Sequence, residues 1–97
     1  MEIKIKALKF TADEKLVNFV EKKTARIEKF FEGVVNEAEV TLENLKEGKK
    51  ARILVHVPGD DLIIERTTDT FENAITGCVD AMKEKLTRLK EKIQEKQ

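Results

Sequence analysis

Tryptophan and tyrosine are missing from these 97 residues, and cysteine, histidine and proline occur once each. Each scarcity removes a class of function. A lone Cys78 permits no internal disulfide and no cysteine-based metal cluster. Its place in the apolar stripe Phe71, Ile75, Cys78, Met82 marks a small buried thiol. His56 has no second histidine with which to share a metal, and a Cys/His catalytic pair would require a strand residue to meet one in a helix stripe. Gly-x-Gly, Gly-Lys-Ser/Thr and Gly-x-Ser-x-Gly patterns are absent, which excludes the familiar phosphate loops and the nucleophile elbow. The acids fall on solvated helix edges, where no burial raises a carboxyl pKa toward a catalytic value. No enzyme activity, cofactor or metal site is expected. The five Phe are mostly at core-like positions, so a platform for stacking single-stranded bases is disfavoured as well.

Long hydrophobic runs are also lacking. None approaches the roughly 20 residues that span a bilayer, and the opening MEIKIKALKF alternates instead of forming a signal-peptide core. The expectation is a cytoplasmic protein with no membrane association. With 40% hydrophobic and 39% charged residues, the composition fits a globular domain with a heavily charged surface. Residues 1–97 are expected to form a single domain with one modest core.

What the chain does have is charge sorted by sign. Nineteen basic and nineteen acidic residues cancel to a net charge of zero. From Thr70 to Gln97 the spacing predicts one long helix with Met82, Leu86, Leu89 and Ile93 as its buried stripe. Lys85, Arg88, Lys92 and Lys96 then fall along one flank, Lys83 and Lys90 along the other, and Glu84, Glu91 and Glu95 point outward. A helix from about Asp13 to Phe31 repeats the design. Leu16, Val20, Ile27 and Phe31 face inward, Lys15, Lys22, Arg26 and Lys29 line one edge, and Glu14, Glu21, Glu28 and Glu32 line another.

Between and before these helices the period is two. Ile3, Ile5 and Ala7 alternate with Lys4 and Lys6 in a first strand, and Ala38, Val40 and Leu42 alternate with Glu39, Thr41 and Glu43 in a second. Asn44 to Lys50 reads as a polar turn. Ala51, Ile53, Val55 and Val57 share one face of a third strand, with Leu54 and His56 on the other. Pro58-Gly59-Asp60-Asp61 closes a hairpin rather than a calcium loop, since it has two acids where such a loop uses several at alternating positions. Leu62, Ile63 and Ile64 form a fourth strand, apolar on both faces. Asp13 or Thr11 caps the first helix, Gly33 ends it, and Thr68 or Asp69 caps the second.

The order β-α-β-β-β-α predicts an α+β two-layer sandwich, a four-stranded sheet with both helices on one face and the first strand parallel to the second. At about 1.5 Å per residue the second helix outruns the sheet, so its last turns, with Arg88, Lys90, Lys92 and Lys96, should project beyond the core. Packing the helices side by side could merge their basic tracks into a groove spaced for phosphates. Four to eight such contacts would bind folded RNA by shape and backbone, with strong salt dependence and little base sequence preference.

Over nearly its full length the chain resembles the ribosome hibernation-promoting factors, a family that includes the ribosome-associated inhibitors and was formerly called sigma-54 modulation proteins. The resemblance is carried by Leu16-x-x-Phe19-Val20-Glu21-x-Lys23, by Ile27-Glu28-Lys29-Phe30-Phe31, by His56-Val57-Pro58-Gly59-Asp60-Asp61-Leu62, and by Phe71-x-x-Ala74-Ile75 leading into Lys83 to Lys92. It implies a fold similar to double-stranded RNA-binding domains. It also implies binding of the small ribosomal subunit and the intact ribosome, mainly through 16S ribosomal RNA in the cleft between head and body. Occupancy there blocks the transfer-RNA and messenger-RNA sites and inhibits translation in stationary phase or under stress, with no chemistry performed. Lys23, Arg26 and Lys29 in the first helix and Arg88, Lys90 and Lys92 in the second match the family's basic positions. Lys15, Lys22, Lys83 and Lys85 join them on charge patterning alone. Because the chain ends at Gln97, a short form without the C-terminal dimerisation domain is expected, a monomer when free. Such forms either pair ribosomes with the help of a second hibernation factor or silence single ribosomes, and both remain open.

Two other readings compete. Charge-segregated helices could instead make a protein-protein interaction module, which needs no net positive charge. A general duplex-RNA binder is less favoured, because Thr70 to Asp80 carries no Lys or Arg.

Overall fold

The computed structural model describes residues 2–31, 33 and 35–95, and the side chains of these except Phe30 and 92–95. Glu32 and Lys96 therefore lie outside the described residues, as do the side chains of Lys92, Ile93 and Glu95. The chain folds as β1 (Glu2–Leu8), α1 (Glu14–Phe30), β2 (Glu37–Leu45), β3 (Gly48–Val57), β4 (Asp60–Thr68) and α2 (Phe71–Glu95). One sheet in the order β1-β2-β3-β4 is parallel between β1 and β2 and antiparallel elsewhere.

Period-two alternation gives this sheet two unlike faces. Ala38, Val40 and Leu42 of β2 and Ala51, Ile53, Val55 and Val57 of β3 are buried against the helices, together with Ile64 of β4. Their neighbours Glu39, Thr41, Arg52, Leu54 and His56 point the other way and are half-buried or exposed. Val20, Ile27 and Phe31 of α1 and Phe71, Ile75, Cys78, Met82 and Leu86 of α2 join the same cluster, so both helices cover one face and the other stays open. Burial of this apolar area is the main term that stabilises the domain. β4 resolves its double-apolar stretch by the same alternation: Ile64 is buried and Leu62 half-buried toward the helices, while Ile63 remains 43% exposed on the open face.

Local signals set most boundaries. The Asp13 carboxylate accepts from the Leu16 amide at 2.8 Å and caps α1. Gly33 follows its end at φ +84°. Thr70, rather than Thr68 or Asp69, caps α2, its hydroxyl accepting from the Asn73 amide at 3.0 Å. Thr68 is still in β4 and spends its hydroxyl on the Thr70 carbonyl, and Asp69 accepts from the Asn73 side chain. The β2–β3 turn is also shorter than the polar stretch suggested. Asn44 pairs with Lys49 and Leu45 with Gly48, leaving Lys46 and Glu47 as the turn. Polar residues extend these strands because their side chains face solvent. Gly48 is needed there, since a Cβ would stand 2.7 Å from the Thr68 carbonyl oxygen.

Two buried groups are unusual. Cys78 lies wholly inside, its thiol donating to the Ala51 carbonyl at 3.3 Å, and burial pushes its pKa up to about 11. Thr24 is 0% exposed on the inner face of α1, and its hydroxyl has no hydrogen-bond partner among the described residues. An unpaired buried hydroxyl costs about 1 kcal/mol or more, whereas an isosteric methyl costs nothing in hydrogen bonding. Thr24→Val should therefore raise the thermal midpoint by several degrees, on the order of 1 kcal/mol, in a calorimetric scan. A lowered midpoint would contradict this account of the site.

Candidate nucleic-acid interface

Strand directions decide how the basic residues are grouped. β4 runs parallel to β1 and β2, and each helix returns antiparallel to the strand before it, so α1 and α2 lie parallel with their N-termini together. At that end Phe10 stacks on Phe71 with ring centroids 4.5 Å apart. A hollow of about 350 Å³ beside them is lined by Lys15, Leu16 and Phe19 from α1 and by Glu72 from α2. Lys15 and Phe19 thus mark the flank of α1 that faces α2. Val17 and Glu21 line a different hollow with Ile3, Ile5 and Ala7 and mark the flank that faces β1.

Helical spacing carries these anchors along each helix. Lys22, Lys23 and Arg26 continue the α2-facing and outward side of α1, with Lys29 on its crest. On α2, the spacing from Glu72 through Thr76 and Val79 leads to Lys83 and Lys90, which face α1. Gly77 lies on the opposite flank, where a Cβ would sit 3.5 Å from Cγ of Arg66 in β4. Lys85, Arg88 and the Lys92 position follow that flank. The packing therefore brings Lys22, Lys23, Arg26 and Lys83 around one trough between the helices, with Lys90 continuing the same flank of α2 past the end of α1, and sets Lys85 and Arg88 on the far side of α2.

The cations are held in different ways. Lys22, Arg26, Lys29, Lys85, Arg88 and Lys90 are exposed, and Lys23 and Lys83 are half-buried. The Lys23 ammonium sits 5.6 Å from the Phe19 ring centroid, a cation–π contact that braces the side chain without neutralising it. Arg88 pairs with Glu84 at 2.8 Å, but both side chains are about two-thirds or more exposed (75% and 68%), so water screens the pair and a phosphate can displace the carboxylate. α2 has 25 residues against 17 in α1, and Leu86 is its last wholly buried position before the half-buried Leu89. Lys90 is carried past the core on this extension. It contributes to the 46 Å long axis of a domain only 23 by 18 Å across.

The open sheet face holds a cluster that the sequence reading passed over. His56 Nδ1 lies 2.7 Å from Asp61 Oδ1 and Nε2 lies 3.3 Å from Glu39 Oε2, linking β3 to β4 and β2. The signal was present in the turn. A two-residue Pro58-Gly59 connection puts His56 opposite Asp61. The Asp61 hydrogen bond, with a smaller one from Glu39, raises the imidazole pKa above its ordinary 6.5 against the opposing effect of desolvation. Among the described residues no group of three or more His, Cys, Asp or Glu is arranged to hold a metal. No helix among them is long and apolar enough to cross a membrane.

Fold and charge together define a two-layer α+β domain whose candidate binding surface is borne on two parallel helices. The chain belongs to the Sigma 54 modulation protein / S30EA ribosomal protein family, whose model matches residues 3–94. This is a ribosome-associated family of hibernation and modulation factors. Among solved structures, the N-terminal domain of Thermus thermophilus Protein Y is similar at a TM-score of 0.81 and 26% identity, covering 92% of this chain and 99% of that one. A ribosomal subunit interface protein from Coxiella burnetii shares the fold at a TM-score of 0.83 and 17% identity, covering 93% and 98%. No curated protein matches by sequence.

The His56 cluster gives a pH prediction. Because the folded pKa is raised, its stabilising contribution is complete below the unfolded value near 6.5 and is lost as pH rises through the folded one. Imidazole resonances followed by NMR should titrate above 6.5, and Asp61→Asn should lower the midpoint more than Glu39→Gln does. A midpoint at or below 6.5 in the intact protein would refute the pairing.

Proposed function

We propose that this chain is a ribosome hibernation factor that binds the small ribosomal subunit through the cations of its two helices and inhibits translation by occupancy. Membership of the S30EA ribosomal protein family over residues 3–94 is the observation that carries the reading. In this reading the contacted surface is 16S ribosomal RNA in the cleft between head and body, where the bound domain stands in the way of transfer RNA and messenger RNA. Its action under stress or in stationary phase needs no catalysis, and its place is the cytoplasm. The family's description as a ribosomal protein supports the ribosome as partner.

Zero net charge does not oppose binding to phosphates. Binding to phosphates depends on the local field within about 8–10 Å, the screening length at physiological salt, and not on the total charge. Beyond Glu72 at its start, the trough is lined by Lys and Arg while the other helix acids fall on other flanks, so it can act as a cationic surface. Lys22, Lys23, Arg26, Lys83 and Lys90 would follow one RNA backbone, and Lys85, Arg88 and Lys92 a second. Arg suits bidentate phosphate recognition, and the Glu84 partner of Arg88 is exchangeable.

Co-sedimentation with vacant ribosomes through a sucrose gradient tests this. Raising salt from about 50 to about 200 mM should weaken binding by roughly a hundredfold or more if four or more phosphates are engaged. The double reversals Arg26→Glu/Lys83→Glu and Arg88→Glu/Lys92→Glu should each strip the protein from the small subunit while leaving its circular dichroism unchanged. Unaltered co-sedimentation of both variants would sink the assignment of these residues. Binding that survives nuclease digestion of the RNA would favour a protein partner instead.

A further inference from the structure

The helix-facing layer of the sheet is not evenly covered. Ala38, Val40, Leu42, Ala51, Ile53 and Val55 on β2 and β3 are at most 1% exposed, yet Ile3, Ile5 and Ala7, in the same layer on β1, are only half-buried. α1 stands off from β1 and leaves a hollow of about 540 Å³, walled by those three residues with Phe10, Val17 and Glu21. Among the described residues β1 pairs with β2 on one side and with no strand on the other, so its outer row of backbone donors and acceptors is open for pairing. No proline interrupts it, and its two lysines point to the opposite face, where they do not block the hollow. Glu21 lines the hollow, and Glu14 falls on the same flank of α1 by helical spacing.

We propose that the β1 edge and this hollow are a docking site for an extended segment of a partner protein, added as a fifth strand with apolar and basic side chains on its helix-facing side. Main-chain pairing to β1 would supply affinity, and the alternate side chains specificity. Apolar groups would fill the space beside Ile3, Ile5 and Val17, while Lys or Arg would reach the glutamates of α1. A second copy of this chain fits worse. Antiparallel pairing of two β1 strands would set one acid flank beside the other and crowd Lys4 and Lys6 against their counterparts, and like charges across a strand pair are unfavourable. The site lies on the opposite flank of α1 from Lys22, Lys23 and Arg26. Its occupation leaves those cations exposed, so this surface is independent of the ribosome reading.

The test titrates isotope-labelled protein with two synthetic peptides, acetyl-KTVTVTK-amide and acetyl-ETVTVTE-amide, followed by NMR. The basic peptide should shift the amides of Ile3 to Ala7 and of Val17 and bind at least about tenfold more tightly than the acidic one. Glu14→Lys/Glu21→Lys changes two exposed helix positions and should invert that preference with the remaining spectrum unchanged. Absence of β1 shifts at millimolar peptide, or equal affinity of the intact protein for both peptides, would overturn the proposal. So would a concentration-dependent dimer in analytical ultracentrifugation whose interface maps to β1.

Discussion

Both helices pack on the same face of a sheet whose first, second and fourth strands run in one direction, and the character of the helix surface follows from that arrangement. Because α1 and α2 return antiparallel to β1 and β4, they lie parallel, with Phe10 and Phe71 stacked where they start. Parallel helices of unequal length leave a trough along their shared span and an overhang beyond it. The inner stripes, Val20, Ile27 and Phe31 against Ile75, Met82 and Leu86, fix the rotation of each helix about its own axis. Rotation in turn decides which flank carries cations into the trough and which carries acids toward β1. A core seam of apolar side chains thus sets the electrostatics of a surface it never touches.

That coupling explains how a chain with equal numbers of acids and bases can present unlike faces. Glu14, Glu21 and Glu28 are on the side of α1 that meets the sheet edge, and Lys22, Lys23 and Arg26 are on the side that meets α2. Uniform mixing of the same residues would leave fields that cancel within a Debye length. The open sheet face follows a different rule, with charges paired locally: Lys4 with Glu37, Lys50 with Glu65, and His56 between Asp61 and Glu39. Such exposed pairs add little stability. They do keep an uncovered face from offering a large apolar patch, and Ile63 and Leu8 are its two large exposed hydrophobics among the described residues.

Much of this was legible in the sequence because period and punctuation agreed. The strict alternation in Ile3, Ile5, Ala7 and in Ala51, Ile53, Val55, Val57 named the helix-facing sides of their strands, and Asp13, Gly33 and Pro58-Gly59 marked ends and turns correctly. Legibility failed where polar residues extend strands. Asn44, Lys49 and Lys50 look like turn material, yet they pair across β2 and β3, since an exposed ladder tolerates any side chain that reaches water. The α2 cap was missed for a related reason: Thr68, Asp69 and Thr70 are all competent, and only the end of β4 decides among them. For the candidate surface, helical spacing grouped the lysines by flank but could not say which flank of α2 would meet α1. That depends on the strand order, which turns the Lys83 and Lys90 flank toward α1 and the Lys85 and Arg88 flank away from it.

The central claim is that one flank of α1 meets ribosomal RNA and the other does not, and proximity crosslinking tests it most directly. Native Cys78 is buried with a raised pKa and does not compete for thiol chemistry. A benzophenone attached through Lys22→Cys, Lys90→Cys or Glu21→Cys can therefore be photolysed on the ribosome as a single-site probe. Crosslinks to small-subunit RNA from the first two positions and none from the third are the expected result. RNA crosslinks from Glu21→Cys with none from Lys22→Cys or Lys90→Cys would contradict the account.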